Sequence, residues 1–322
     1  MSALRAPFFW VLLVVVGGVG LLPILTGSDG TREDVFLVLM LVILASSINI
    51  IMGYTGYVSF GHIVFFGLGG YVAFYLMLNH QVHFVAAALV GGIVSSLIAF
   101  LLGIPVLRLR GAYFALATIG INEVVRSFVT NFDPFGGATG MFFNYQVYDS
   151  YGGAKNALWF AYDAIVIVAL LCTITSLLIK KSKFGLGLLA IREDQDASQV
   201  LGIDPSRSKV VVYTISAFFP GLAGAIFFFK NGIIEPGPAF DLLRSIEALV
   251  MVMLGGYGTV AGPIVGAAVY EQLRAFLITN PTFSSLHLFV AGFLLLLIVL
   301  FVTNGLVGWL RQRTPQLRRY LE

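Results

Sequence analysis

A chain of 322 residues that is 58% hydrophobic and 11% charged lies far from soluble domains, which are ~45–50% apolar and ~25% charged. Its mean hydropathy of +0.94 excludes a soluble globular fold and implies a polytopic membrane protein. The net charge of +3 is too small to argue for a nucleic-acid partner, so the distribution of charge along the loops carries the information. The 36 glycines and 14% aromatic residues fit membrane helices and their interfacial belts. The single cysteine, Cys172, allows no internal disulfide and no cysteine-based metal site.

Read against the ~20 residues needed to cross a bilayer, the apolar runs predict about ten spans, near 8–26, 35–52, 58–78, 84–107, 112–129, 158–179, 209–229, 243–256, 261–278 and 286–308. The first follows Arg5 like a signal peptide. It is longer than an h-region and no small-x-small site follows it, so it is read as an uncleaved helix. The third, eighth and ninth are short or glycine-broken and are read as half-helices or re-entrant segments. With the N-terminus inside, the cytoplasmic segments hold 13 of the 19 basic residues, among them Arg5, Arg108, Arg110, Lys180, Lys181, Lys183, Arg192, Arg207, Lys209 and Arg311. The outside segments hold mainly acids. That bias requires an even number of spans, eight or ten, with both ends cytoplasmic. The expectation is an all-α polytopic membrane protein, one transmembrane domain over 1–322, with an outer loop at 130–158 and a charged cytoplasmic segment at 180–209. The outer loop is read as a surface loop, a landing surface for an extracytoplasmic partner, or a lid.

The charged segment stands out. Six basic and four acidic residues fall between 180 and 209, in the stretch containing FGLGLLAIREDQDASQVLGIDP. Its apolar residues Ile191, Ala197, Val200 and Leu201 keep a helical spacing, which predicts one short amphipathic helix over 184–205. The alternatives are an ordinary cytoplasmic loop and a helix that docks into another protein.

Motifs for chemistry are missing. No G-x-x-x-x-G-K-[ST], H-E-x-x-H or G-x-S-x-G occurs, and His62, His80, His83 and His287 are scattered, which argues against a nucleotide site or an enzyme in this chain. Polar residues inside apolar spans are few and therefore informative. Glu123 and Arg126 are three apart and can pair on one helix face, or line the path of a zwitterionic solute together with Asn122. Asn49 and Glu247 pose the same choice between packing and path. The run from Gly53 through Tyr54, Gly56, Ser59 and Gly61 to His62 ends one helix and starts another. Non-helical backbone at membrane depth survives only where protein or a water-filled cavity surrounds it, so these residues are path candidates. A looser echo of 53–71 occurs at 255–270, with Pro263 restarting the helix, as in transporters with interrupted helices.

Six motifs in order, GYTGYVSFGHIVFFGLGGY, RLRGAYFALATIGINEVVR, GGATGM, FGLGLLAIREDQDASQVLGI, FFPGLAGAIF and EPGPAFDLLRSIEALVMVMLGGYGTVAGPIVGA, resemble the LivM-type permease of bacterial ABC importers for branched-chain amino acids. The likeness covers about 35–270. It implies a bacterial inner-membrane permease subunit beside a second, LivH-type permease, with two cytoplasmic ATP-binding subunits and a periplasmic solute-binding protein as partners. ATP and Mg would be used by those subunits, with no cofactor bound by this chain. It also implies that Arg192, Glu193, Asp194, Asp196, Ala197, Val200, Leu201 and Gly202 couple to the ATPases. Asp196-Ala197-Ser198 stands in the place of the Glu-Ala-Ala of the coupling loop, and Gly202 in that of its glycine. The likeness departs downstream, where the usual Leu-Pro is not at its spacing and Pro220 lies further on. Leucine, isoleucine and valine are the implied solutes, with urea, short amides and other amino acids as rivals. The competing class is a stand-alone transporter driven by protons or sodium; the amphipathic segment and the lack of a clear buried coupling carboxylate argue against it.

Overall fold

The computed structural model describes residues 7–143, 146–279, 292 and 305–313. In chain order the helices are α1 (Pro7–Thr26), α2 (Asp29–Thr55), α3 (Ile63–His80), α4 (Phe84–Val106), α5 (Ala112–Thr130), α6 (Gln146–Asp149), α7 (Ala154–Lys181), α8 (Lys183–Glu193), α9 (Gln195–Val200), α10 (Pro205–Asn231), α11 (Pro236–Ala239), α12 (Leu242–Gly255), α13 (Ala261–Thr279) and α14 (Gly305–Arg313).

The bundle is built around α2. Ser28 opens it, its hydroxyl accepting from the Thr31 amide and so satisfying one of the unpaired donors of the first turn. The run VFLVLMLVILASSINIIMG then keeps α2 helical for 27 residues, ~40 Å at 1.5 Å per residue. It is apolar all round, and 89% of its most apolar stretch is buried, as expected of a central helix. α1, α7, α8, α10, α12 and α13 pack on it. α3, α4 and α10 approach closely through small residues. A Cβ on Gly91 would sit 2.5 Å from the Gly69 carbonyl oxygen, and one on Gly221 would sit 2.8 Å from Ser95 Cβ. Between membrane helices such close approach supplies the dispersion contact that replaces a hydrophobic driving force. Leu89, Ile93, Leu97 and Leu101 recur on the open face of α4, a stripe suited to lipid or to another protein.

Among the described residues, six helices (α2, α3, α4, α5, α7 and α10) are long and apolar enough to cross a membrane. The fold is thus a helical, multi-pass membrane fold, with six such helices where ten spans were expected. The eighth expected span is the 14-residue α12, ~21 Å long and short of the ~30 Å hydrocarbon core. The third does not start at 58, because the chain is non-helical from Gly56 to His62. Most of the tenth, 286–308, lies outside the described residues.

The loop at 130–158 is fastened to the bundle. Met141–Phe142 pairs antiparallel with Ile233–Ile234 just after α10, a two-residue exception to the all-α expectation. The Tyr148 hydroxyl donates to the Phe229 carbonyl at 2.7 Å, and the Phe84 amide donates to the Tyr151 hydroxyl at 2.8 Å.

Candidate functional site

The charged segment is two helices. Ser182 caps α8, accepting from the Gly185 amide at 2.9 Å, and Asp194 ends it. Asp194 Oδ1 accepts from the amides of Asp196 and Ala197 at 2.9 and 3.0 Å, so this residue is the N-cap of α9. An N-cap residue takes an extended backbone, and Asp194 has φ −155° and ψ 113°. The single helix expected over 184–205 therefore breaks at Asp194. The αL backbone of Gly202, φ +83°, turns the chain toward α10.

The two halves are anchored differently. In α8, Leu188 and Ile191 are buried at 0% and 3% exposure. In α9 only Ser198 is buried, while Val200 and the following Leu201 are 89% and 76% exposed. Glu193, Asp194, Asp196, Ala197 and Gly202 are also exposed. Two polar contacts hold α9 from behind. Arg110, just before α5, reaches Asp196 through two nitrogens at 2.9 and 3.3 Å. That hydrogen-bonded guanidinium holds the Asp196 carboxyl below the usual carboxylate range. The other contact is buried. Lys209 is 1% exposed, and its Nζ donates to the Leu107 carbonyl at 2.8 Å, the Tyr57 hydroxyl at 2.8 Å and Gln195 Oε1 at 3.2 Å. An ammonium has three donors, and each finds an oxygen. The Tyr57 hydroxyl in turn donates to Gln195 Oε1 at 3.0 Å. One residue of α9 is thereby tied to the first helix break, to the end of α4 and to the start of α10.

Two glycine-rich breaks lie directly against each other. The first runs from the end of α2 to His62. The second, from Gly256 to Val260, separates α12 from α13. Asn49, on α2 ahead of the first break, holds the second: its Nδ2 donates to the Thr259 carbonyl at 2.8 Å, and its Oδ1 accepts from the Gly258 amide at 2.8 Å. The side-chain amide pairs with the second break as a strand backbone would. Gly53 leaves room for this, since a Cβ there would lie 2.7 Å from the Gly258 nitrogen. Gly56, at φ +77°, closes α2 in αL geometry. Arg192, in the last turn of α8, reaches both breaks. It donates to the Gly53 carbonyl at 2.8 Å and lies 4.6 Å over the Tyr257 ring.

The other path candidates do not converge on one channel. Tyr54 turns away, its hydroxyl 2.8 Å from Ser176 Oγ on α7. Ser59 and His62 are buried; His62 Nε2 sits 3.1 Å from Ser216 Oγ on α10. Gly61 lies against α5, where a Cβ would come within 3.2 Å of Thr118 Cβ. Asn122 is buried on α5 and donates from Nδ2 to the Phe240 carbonyl at 3.0 Å, while its Oδ1 has no partner among the described residues. Glu123 points outward, 60% exposed and 3.6 Å from Arg126. Glu247 is half-buried and interacts with Tyr270, Arg274 and Arg244. Among the described residues no group of three His, Cys, Asp or Glu is placed to hold a metal ion.

Sequence reading missed Lys209, Gln195, Tyr57 and Tyr257. A lysine beside an apolar run reads as an interfacial anchor. The hint was that three valines, Val210 to Val212, follow it directly into a span, leaving Lys209 at the edge of the apolar run.

What the arrangement provides is a short helix with a bare apolar end, tied from behind to the first break, with Arg192 of the preceding helix reaching the second. Comparison with known proteins places it. The chain is 29% identical to the high-affinity branched-chain amino acid transport system permease protein LivM of Salmonella typhimurium, over 90% of this chain and 72% of that protein. It has the same identity and coverage with LivM of Escherichia coli. The fructose import permease protein FruF of Bifidobacterium longum is 27% identical over 39% of each chain. No solved structure matches. The relatives are permease subunits of transport systems, not enzymes. Residues 34–299 match the family described as the permease component of branched-chain amino acid transport systems, and the chain belongs to that family of ABC transporter permeases.

Proposed function

We propose that this chain is one of two permeases in a bacterial inner-membrane importer that takes up leucine, isoleucine or valine. A second, LivH-type permease forms the other half of the pore. Two cytoplasmic ATP-binding subunits hydrolyse ATP with Mg, this chain binding neither, and a periplasmic solute-binding protein delivers the solute. The spans beyond the six bring the total to an even number, eight or ten, with both chain ends in the cytoplasm.

The observation that carries this reading is the bare apolar end of α9. Val200 and Leu201 are almost fully exposed on a segment too polar to enter lipid. A large apolar pair in water at the tip of a short helix is what a helix-in-groove contact needs. Burying one such side chain contributes roughly 1.5–3 kcal/mol, about one to two factors of ten in affinity. The outward Glu123–Arg126 pair on α5 supports a partner permease, because an ion pair facing lipid is costly while one facing a pore or a partner is not.

Purification from native membranes tests the reading. Two ATP-binding subunits and a second permease are expected to co-elute, and the reconstituted complex with its binding protein is expected to take up labelled leucine only with ATP. Uptake by the lone chain, driven by a proton or sodium gradient, would overturn it. Relatedness to the fructose import permease FruF favours one alternative solute class, and uptake of a sugar by the complex would select it.

A further inference from the structure

We propose that Arg192 is a positioning residue that pins the docking segment to both helix breaks, so that displacement of α9 by a cytoplasmic partner moves α2 and α12 together. The inference rests on the docking role proposed above for α9 and deepens it.

The pin is built from an unpaired backbone group. The last carbonyls of a helix have no intrahelical donor. At the end of α2, the Met52 carbonyl is satisfied by the Gly56 amide, and the Gly53 carbonyl takes the Arg192 guanidinium at 2.8 Å. A cation suits a helix C-terminus, where the backbone dipoles leave partial negative charge. Beyond the carbonyl, the guanidinium carbon lies over the Tyr257 ring, 4.6 Å from its centroid. One side chain therefore ends on the backbone of the first break and on the aromatic of the second. Both breaks make room for it. A Cβ on Gly258 would lie 2.8 Å from Arg192 Nη1, and one on Gly56 would lie 3.4 Å from Arg192 Cγ. Arginine suits the place because it donates in a fixed fork and stacks on an aromatic face in one conformation.

Its place in the chain gives the contact a mechanical meaning. Arg192 stands two residues before the Asp194 cap and one after the buried Ile191. It is thus at the joint between the half of the segment rooted in the bundle and the half that is bare. Asn49, on α2 ahead of the first break, binds the second break directly, so a pull on Arg192 reaches α2 and the second break as one unit.

The test uses the full complex and follows hydrolysis and transport together. Arg192→Ala is expected to keep the ATP-binding subunits on purification and to keep ATP hydrolysis within about twofold, while uptake falls at least tenfold, so that ATP used per solute rises about fivefold or more. Arg192→Lys, which can reach the carbonyl but cannot stack flat, is expected to fall between. Tyr257→Phe should behave as wild type, and Tyr257→Leu should raise the ATP-to-solute ratio without altering the Gly53 contact. Loss of the ATP-binding subunits from Arg192→Ala would make it a docking residue and overturn the pin. So would hydrolysis and uptake falling in equal proportion, or a normal ratio in both Arg192→Ala and Tyr257→Leu. A wild-type chain that retains no ATP-binding subunit would instead defeat the docking reading itself.

Discussion

α8 and α9 follow one another with a single residue between them and meet opposite fates. α8 turns Leu188 and Ile191 into the bundle, whereas α9 turns Val200 and Leu201 out of it. Apolar spacing is helical in both, so periodicity alone does not say which face is filled by this chain and which waits for another. The cap at Asp194 makes the difference, because it re-aims the second helix. An apolar face that is helical, exposed and tied from behind by specific polar contacts is a surface held ready for a partner.

The largest expected effect lies on the anchored half. Ile191→Asp would put a carboxylate where the side chain is 3% exposed with no designed partner, a cost of several kcal/mol. The permease itself is expected to be lost from the membrane fraction, measured by quantitative immunoblot. Normal levels of this variant would mean that α8 is not rooted in the bundle.

The same change on the free half should be milder for the fold and severe for assembly. Leu201→Asp is expected to leave the permease inserted and paired with its sister, and to lower retention of the ATP-binding subunits by tenfold or more, the value of one buried leucine. Full retention with normal uptake would remove the docking role of α9.

A smaller effect separates the cap from the charge. Asp194→Ala removes the acceptor of two amides and should cost ~0.5–2 kcal/mol, read as weaker docking. Asp194→Asn keeps a capping oxygen and should stay close to wild type. Equal impairment of the two variants would show that Asp194 acts by charge on a partner.

These contrasts also mark what the residues disclosed by themselves. The apolar runs of α2, α4, α7 and α10 are unmistakable because length and hydropathy are local properties. The two breaks were visible as glycine-rich stretches, and their likeness was noticed. That they touch was not, since Asn49 and Gly258 are 209 positions apart and no local pattern encodes a contact. Tyr54 shows a second contact that no local pattern encodes. Its place in the break made it a path candidate, yet its hydroxyl is spent on Ser176, because residues of α2 face all round the bundle. The split of the charged segment was hidden because a capping aspartate looks like any other charge in a run reading Glu-Asp-Gln-Asp.

The smallest expected effect belongs to the ion pair that steadies α9 from outside. Arg110 and Asp196 are both solvent-exposed, and exposed pairs are screened and contribute little. The Asp196 carboxyl is nevertheless held below its ordinary value of 3.8 by the guanidinium. A depressed carboxylate pKa means that the pair's contribution is fully present above about 3.8 and is lost as pH falls through the lower, folded value. Between pH 5 and 8 the contact should therefore be independent of pH, and only salt should weaken it. Asp196→Asn is expected to reduce retention of the ATP-binding subunits slightly at low salt and not at all at 1 M salt, where the screening length is ~3 Å. Because Gln195 still binds Lys209 and Tyr57, α9 keeps its buried tether when the outer one is removed. A loss as large as that of Leu201→Asp, persisting at high salt, would instead mean that the Asp196 carboxylate touches the partner itself.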